Sequence, residues 1–259
     1  MPPAHIAGSN QLKDAYRRVT DRVSDVATRC GRRPQDIIMV AVTKTASPDQ
    51  IRTLVDMGHI DLGENRVQQL IQRQAQLEEF LSRKRTLGRT TPEVNGHPGP
   101  NVRWHMVGHL QRNKVKPIMP LVKLIHSVNS LRLAEEIQSA AARDDRVVDI
   151  LLEVNATGEP TKLGVAAPAA LHLAEQIDTM MHLRLRGLMA MGPLADDPED
   201  ARPTFARTAE IFQEIRTERV GGGQFNILSM GMSNDYEIAI EQGANLLRIG
   251  RALFGESDR

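Results

Sequence analysis

Eight short apolar runs recur along the chain, and segments of helical period separate them. The runs fall at residues 37–42, 59–62, 102–107, 121–127, 147–154, 183–189, 226–229 and 245–249. Between them, apolar residues return at three- and four-residue intervals over 48–57, 67–81, 131–142, 167–177, 205–218 and 235–242, with a shorter helix around 111–118. Strands joined through helices run parallel, because each helix carries the chain back to the edge where the last strand began. One further helix precedes the first strand. Leu12, Tyr16, Val19, Val23 and Val26 mark its buried face over 10–29, and Gly31 stops it. Eight strands in 259 residues, a helix after each of the first seven and Ala252-Leu-Phe254 after the last, predict a single (β/α)8 TIM-type barrel with an extra N-terminal helix, one domain spanning 1–259. The competing arrangement is an open doubly wound sheet, whose first turn is glycine-rich. Here the first turn, Thr43-Lys-Thr-Ala-Ser-Pro48, contains no glycine.

Charge and composition exclude several function classes. The formal net charge is +1, which gives no electrostatic case for nucleic acid or an anionic membrane, and aromatics at 3% leave little for base stacking. No apolar stretch reaches the length of a membrane span. Cys30 is the only cysteine, so a reducing compartment is expected, and Met1-Pro-Pro-Ala-His-Ile lacks the basic and apolar pattern of a signal peptide. A cytoplasmic protein is predicted, and no interface stripe argues against a monomer. Residues 82–101 begin with the basic cluster Arg83-Lys-Arg85 and end rich in Gly and Pro, which reads as a mobile surface loop. Gly221-Gly-Gly223 reads as a flexible connection without the lysine and Ser/Thr of a phosphate-binding P-loop.

In a barrel the chemistry gathers where strands end. Lys44 closes the run that begins at Asp36. A lysine held at the end of a buried strand loses water that stabilises its ammonium, and a partly neutral amine is what a Schiff base with an aldehyde cofactor requires. The plainer alternative is a solvated lysine at a strand end. Ser233 reads as the N-cap of the helix near Asp235, and the N–H groups there also suit an anion. Gly231 and Gly250 would permit close backbone approach to a phosphate. His105 and His109 stand four apart, but Gly108 interrupts them and no acidic residue lies between, so no metal site is predicted. No Gly-x-Ser-x-Gly elbow supports a Ser-His-Asp nucleophile.

Longer motifs carry a family resemblance. Ala41-Val-Thr-Lys44, Leu62-Gly-Glu-Asn65, Trp104-His-Met-Val-Gly-His-Leu-Gln-Arg-Asn-Lys114 and His126-Ser-Val-Asn129 resemble the pyridoxal phosphate homeostasis proteins. So do Val154-Asn-Ala-Thr-Gly-Glu-Pro-Thr-Lys-Leu-Gly164, Arg186-Gly-Leu-Met189, Leu228-Ser-Met-Gly-Met-Ser-Asn-Asp235 and Leu247-Arg-Ile-Gly250, in the family's order over nearly the whole chain. The resemblance implies a barrel related to the N-terminal domain of alanine racemase that binds pyridoxal 5'-phosphate (PLP). It implies Lys44 as the Schiff-base lysine, and Ser233 with the backbone at Gly250 and Arg251 as the phosphate site. Arg248 would face the pyridine nitrogen, and Asn65 and His105 would line the cofactor's face. Arginine stays protonated, so it donates to the ring nitrogen and disfavours a proton there, which leaves a weaker electron sink. Two departures stand out. Arg251 occupies a position that is commonly threonine in the family, and the 82–101 segment is longer than usual.

Two functions follow from that resemblance. One is a cofactor-handling protein that holds PLP on Lys44 and buffers it or delivers it to apo forms of PLP-dependent enzymes. The other is a PLP-dependent amino-acid racemase. Racemisation needs a base on each face of the substrate α-carbon. In the racemase relatives the second base is a tyrosine on a separate C-terminal domain. This chain ends at Arg259, and its tyrosines, Tyr16 and Tyr236, match neither position, so the handling protein is expected.

Overall fold

The structure is a computed structural model that describes residues 4–86, 102–159 and 162–255. Eight parallel strands close into a barrel. They are β1 (Ile38–Val42), β2 (Asp61–Glu64), β3 (Arg103–Met106), β4 (Val122–Val128), β5 (Val148–Asn155), β7 (Leu183–Met189), β8 (Ile227–Ser229) and β9 (Leu246–Ile249). Each pairs with the next around the ring, β4 pairs with β5, and β9 returns to β1 with Val40 opposite Arg248. That closure rules out the open sheet. The two-residue β6 (Val165–Ala166) is not part of the ring and pairs only with the end of β5.

The helices described are α1 (Ala4–Arg29), α2 (Pro48–Asp56), α3 (Val67–Thr86), α4 (Val115–Ile118), α5 (Leu131–Arg143), α6 (Ala170–Asp178), α7 (Arg202–Thr217), α8 (Tyr236–Glu241) and α9 (Arg251–Phe254). Ser47 starts α2 through a capping box: its hydroxyl accepts from the Gln50 N–H, and the Gln50 side chain accepts from the Ser47 N–H. Pro48 adds a pre-set φ at the first helical position.

Strand alternation divides the apolar residues in two. Ala41, Leu62, Trp104, Ile125, Ile150, Leu188 and Leu247 face outward into the main core against the helices. Val40, Leu124, Leu151, Met189 and Leu246 form a separate, smaller cluster that fills the barrel. The interior is not wholly apolar. Asp61, His105, His126, Glu153, Ser229 and Arg248 are all buried.

Two expectations about segments change. Residues 82–86 are the last turns of α3 rather than loop, and 87–101 lie outside the described residues. Arg83 pairs with Glu79 one turn earlier and Lys84 reaches Asp56, so the basic cluster supports the helix end, where cations suit the backbone dipole. The glycine run forms a defined turn, with Gly221 left-handed at φ +71° and a 3-10 turn over Gly222–Gln224.

Candidate functional site

At the carboxyl ends of the strands a cavity of about 500 Å³ opens, and Lys44, Asn65, Ser233, Arg248, Gly250 and Arg251 all line it. Six of the seven residues expected from the sequence therefore meet in one place. His105 does not line it. It lies lower in the barrel, bonded to Asp61 and His126. A second cleft of about 440 Å³ sits at the opposite mouth, among Tyr16, His59, Asp61 and Arg103, and contains no lysine.

Lys44 is exposed, against the expectation of a desolvated lysine. The strand ends at Val42, and a 3-10 turn over Thr43–Thr45 carries the lysine out to the cavity mouth. That turn is anchored from beneath. The Thr43 hydroxyl donates to Glu64 Oε1 at 2.6 Å, and Arg73 pairs with the same carboxylate at 2.7 Å. The Asn65 N–H donates to Glu64 Oε2 at 3.1 Å. One fully buried carboxylate thus positions the elements that present both Lys44 and Asn65.

Ser233 does not cap α8. Asp235 precedes that helix, and its carboxylate turns back to accept from the Met232 N–H at 2.6 Å. Ser233 Oγ instead accepts from the N–H groups of Gly250 at 3.3 Å and Ala252 at 3.1 Å, joining the β8–α8 loop to the β9–α9 turn. Gly231 does not line the cavity, and packing requires a glycine there. It is left-handed at φ +84°, and a Cβ there would stand 2.6 Å from the Ala239 side chain. Arg251 is exposed at the rim of the cavity.

Arg248 is 4% exposed. Nη1 donates to Ser229 O at 2.9 Å and Ser229 Oγ at 2.7 Å, and Nη2 donates to Ala190 O at 2.9 Å. A guanidinium has more N–H groups than these, so donors remain for the cavity. Burial pushes its pKa down to about 10, against the opposing charges of Asp235 and Glu153, so it is cationic at neutral pH. Glu153 faces it from β5 with Oε2 buried and unpartnered, and burial pushes that carboxyl up to about 7 against the pull of Arg248.

The residues suit an aldehyde cofactor carrying an anion and a ring nitrogen. Asn65 Oδ1 is a buried acceptor without a partner on the cavity wall, the Lys44 amine stands at its mouth, and Arg248 supplies donors at its base. Among the described residues no group of three or more His, Cys, Asp or Glu could hold a metal ion. No helix among them is long and apolar enough to cross a membrane. Sequence reasoning missed Glu64, Arg73, Glu153 and Ser229 as parts of this architecture. The signal available was period-two alternation, which puts Ser229 and Glu153 on the inner face with Arg248.

Residues 94–258 match the family described as alanine racemase, N-terminal domain. A pyridoxal phosphate homeostasis protein of Aquifex aeolicus is 36% identical over 92% of this chain and 95% of its own. One from Pseudomonas aeruginosa is 32% identical over 93% and 94%. An unknown protein from Bifidobacterium adolescentis superposes with a TM-score of 0.84 at 32% identity, covering 96% of each chain. PipY of Synechococcus elongatus, solved with PLP bound, gives 0.74 at 27% identity over 92% of this chain and all of its own. Alanine racemase of Clostridium difficile, at 12% identity, shares the fold over 96% of this chain and 58% of its own, with a TM-score of 0.70. This chain belongs to the pyridoxal phosphate homeostasis protein family, on the barrel fold of the alanine racemase N-terminal domain.

Proposed function

We propose that this chain is a PLP-binding protein of cofactor homeostasis, one barrel domain over 1–259 that holds PLP covalently at Lys44. It buffers the cofactor, or delivers it to apo-enzymes, in the cytoplasm, as a monomer and without robust catalysis. The observation that carries this reading is the convergence on one cavity of Lys44, near the start of the chain, with Ser233 and Arg248, near its end. PipY, a relative solved with PLP bound, supports it.

Bound PLP supplies an aldehyde that condenses with a primary amine, and an electron-withdrawing ring. Lys44 offers the amine. Ser233 and the backbone at Gly250 and Arg251 take the phosphate, the Arg251 side chain adds charge at the rim, and Asn65 Oδ1 accepts from a cofactor hydroxyl. Arg248 donates to the ring nitrogen and keeps a proton off it. His105 acts from beneath without touching the cofactor. An exposed Lys44 lets water and competing amines reach the linkage, which favours exchange over a protected carbanion.

The test is direct. Purified protein with PLP should show a visible-edge absorbance band that borohydride abolishes, and peptide mapping should find the fixed cofactor on Lys44. An adduct mainly on Lys114 or Lys162 overturns the assignment. The Lys44→Ala protein should fold within about 0.5 kcal/mol of the parent, as exposed substitutions do, and lose the band.

A further inference from the structure

The buried polar residues of the barrel form one continuous chain. Ser229 Oγ, which accepts from Arg248, lies 3.1 Å from His126 Nδ1. His126 Nε2 lies 3.0 Å from His105 Nδ1, and His105 Nε2 lies 3.0 Å from Asp61 Oδ1. Asp61 is also held by Arg103 at the opposite mouth of the barrel. The chain therefore runs from the cofactor cavity through the interior to the other end.

Hydrogen-bond accounting gives it a direction. Arg248 can only donate and an ionised Asp61 can only accept. Burial raises Asp61, but the hydrogen bonds from His105 and Arg103 outweigh it and hold the carboxyl below its usual range. His126 is neutral, since burial, together with His105 and the Arg248 cation, drives it well below the usual histidine value. Only one arrangement satisfies every group. Arg248 donates to Ser229, the Ser229 hydroxyl to His126 Nδ1, His126 Nε2–H to His105 Nδ1, and His105 Nε2–H to Asp61. The reverse arrangement needs a doubly protonated His105 and leaves the Ser229 hydroxyl hydrogen without an acceptor in the chain. It would also set a second buried cation three hydrogen bonds from Arg248, along the line His105–His126–Ser229.

We infer that Asp61 is a remote positioning residue for the cofactor site: through this one-way chain it commits the Ser229 hydroxyl hydrogen to His126, leaves the Ser229 lone pairs to Arg248, and so aims Arg248 at the ring nitrogen. The inference rests on the PLP reading for its consequence, but not for the chain itself. His59 and Tyr16 flank Asp61 without joining the chain, because His59 Nε2 donates to the Asp61 backbone carbonyl and its Nδ1 accepts from the Tyr16 hydroxyl.

Two measurements test it. In cofactor-free protein, long-range 1H–15N spectra of the histidine rings should place the proton of both His105 and His126 on Nε2. Asp61→Leu should shift the His126 ring nitrogens and raise the PLP dissociation constant about threefold or more, within the usual range for remote coupling. Asp149→Leu is the matched control. Asp149 is buried at the same end of the barrel and pairs with Arg184 and Arg186, outside the chain, so it should leave both readouts alone. If Asp61→Leu does not fold, Ser229→Ala cuts the chain at its other end and should give the same two changes. A proton on Nδ1 of His126, or variants that behave like the control, overturns the inference. Absence of any PLP band in the parent protein sinks the cofactor reading instead, and the ring protons still decide the chain's direction.

Discussion

The Thr43 hydroxyl lies 2.6 Å from Glu64 Oε1, which locks the carboxyl end of β1 to that of β2. The contact matters because Lys44 and Asn65 each follow one of the two residues directly. A carboxylate with no exposure normally incurs a large desolvation cost, offset here by Thr43, Arg73 and the Asn65 N–H. Lys44 is thus an exposed amine on a rigid mount.

Thr43→Val keeps the shape and removes a hydrogen bond to a charged acceptor. It should lower stability by about 1.5–3 kcal/mol, read as a reduced urea midpoint at unchanged slope. PLP affinity should fall with it, because the Lys44 turn loses its anchor.

Ser233→Ala should weaken PLP binding by about 1–2 kcal/mol, the scale of a hydrogen bond to a charged group plus the lost tie to Gly250 and Ala252. Pyridoxal, which lacks the phosphate, should bind poorly to both proteins and lose little from the substitution. Comparable losses for the two vitamers would show that Ser233 acts by holding the turn and not by contacting the anion.

Gly231→Ala forces a side chain into a left-handed residue and against Ala239 and the Tyr236 backbone. Strain of about 1–3 kcal/mol is expected, measurable as a lowered thermal midpoint. Because Gly231 O accepts from the Arg248 N–H at 3.0 Å, the substitution should disturb the cofactor site as well.

Glu153 predicts a pH dependence. Its folded pKa of about 7 lies above the ordinary value of 4.5, so between those limits the native state holds the extra proton. Stability from this group therefore falls as pH rises through that window. Glu153→Gln removes the loss, and above pH 7 the variant should be more stable than the parent by about 1–3 kcal/mol. His126 and His59, whose depressed values act in the opposite sense below pH 6.5, are common to both proteins and cancel in the comparison. Parallel stability curves from pH 4.5 to 8 would refute the assignment.

The barrel was legible because its strand runs and helical periods are strong and long. The run at 183–189 coincides with β7, and that at 147–154 is offset by one residue from β5. The weaker second strand was displaced, expected at 59–62 and found at Asp61–Glu64. Gly63 and Glu64 look like a turn until Thr43 and Arg73 bury the carboxylate. Lys44, Ser233 and Gly250 were legible as strand-end residues. Their surroundings were not: Ser233 bonds across to residues 17 and 19 positions away, a partner choice that local capping preferences cannot anticipate. The Asp61 chain draws on strands scattered from β2 to β9, and each member alone reads as an ordinary buried polar residue.

The protein should not racemise alanine at an enzyme's turnover, on the order of 1–10³ per second. A two-base racemisation needs a proton donor opposite Lys44. Neither tyrosine lines the cavity: Tyr16 sits in the cleft at the other mouth, bonded to His59, and Tyr236 lies half-buried in α8. Arg248 adds a second obstacle, since a guanidinium at the ring nitrogen leaves the ring unprotonated and less able to hold a carbanion. That obstacle is partial and the missing base is the stronger argument. The measurement is D-alanine formed from L-alanine with PLP and purified protein. A rate at or below that of free PLP is expected, and Lys44→Ala should not change it. Sustained D-alanine formation that disappears in Lys44→Ala would overturn the handling role and return the chain to the racemases.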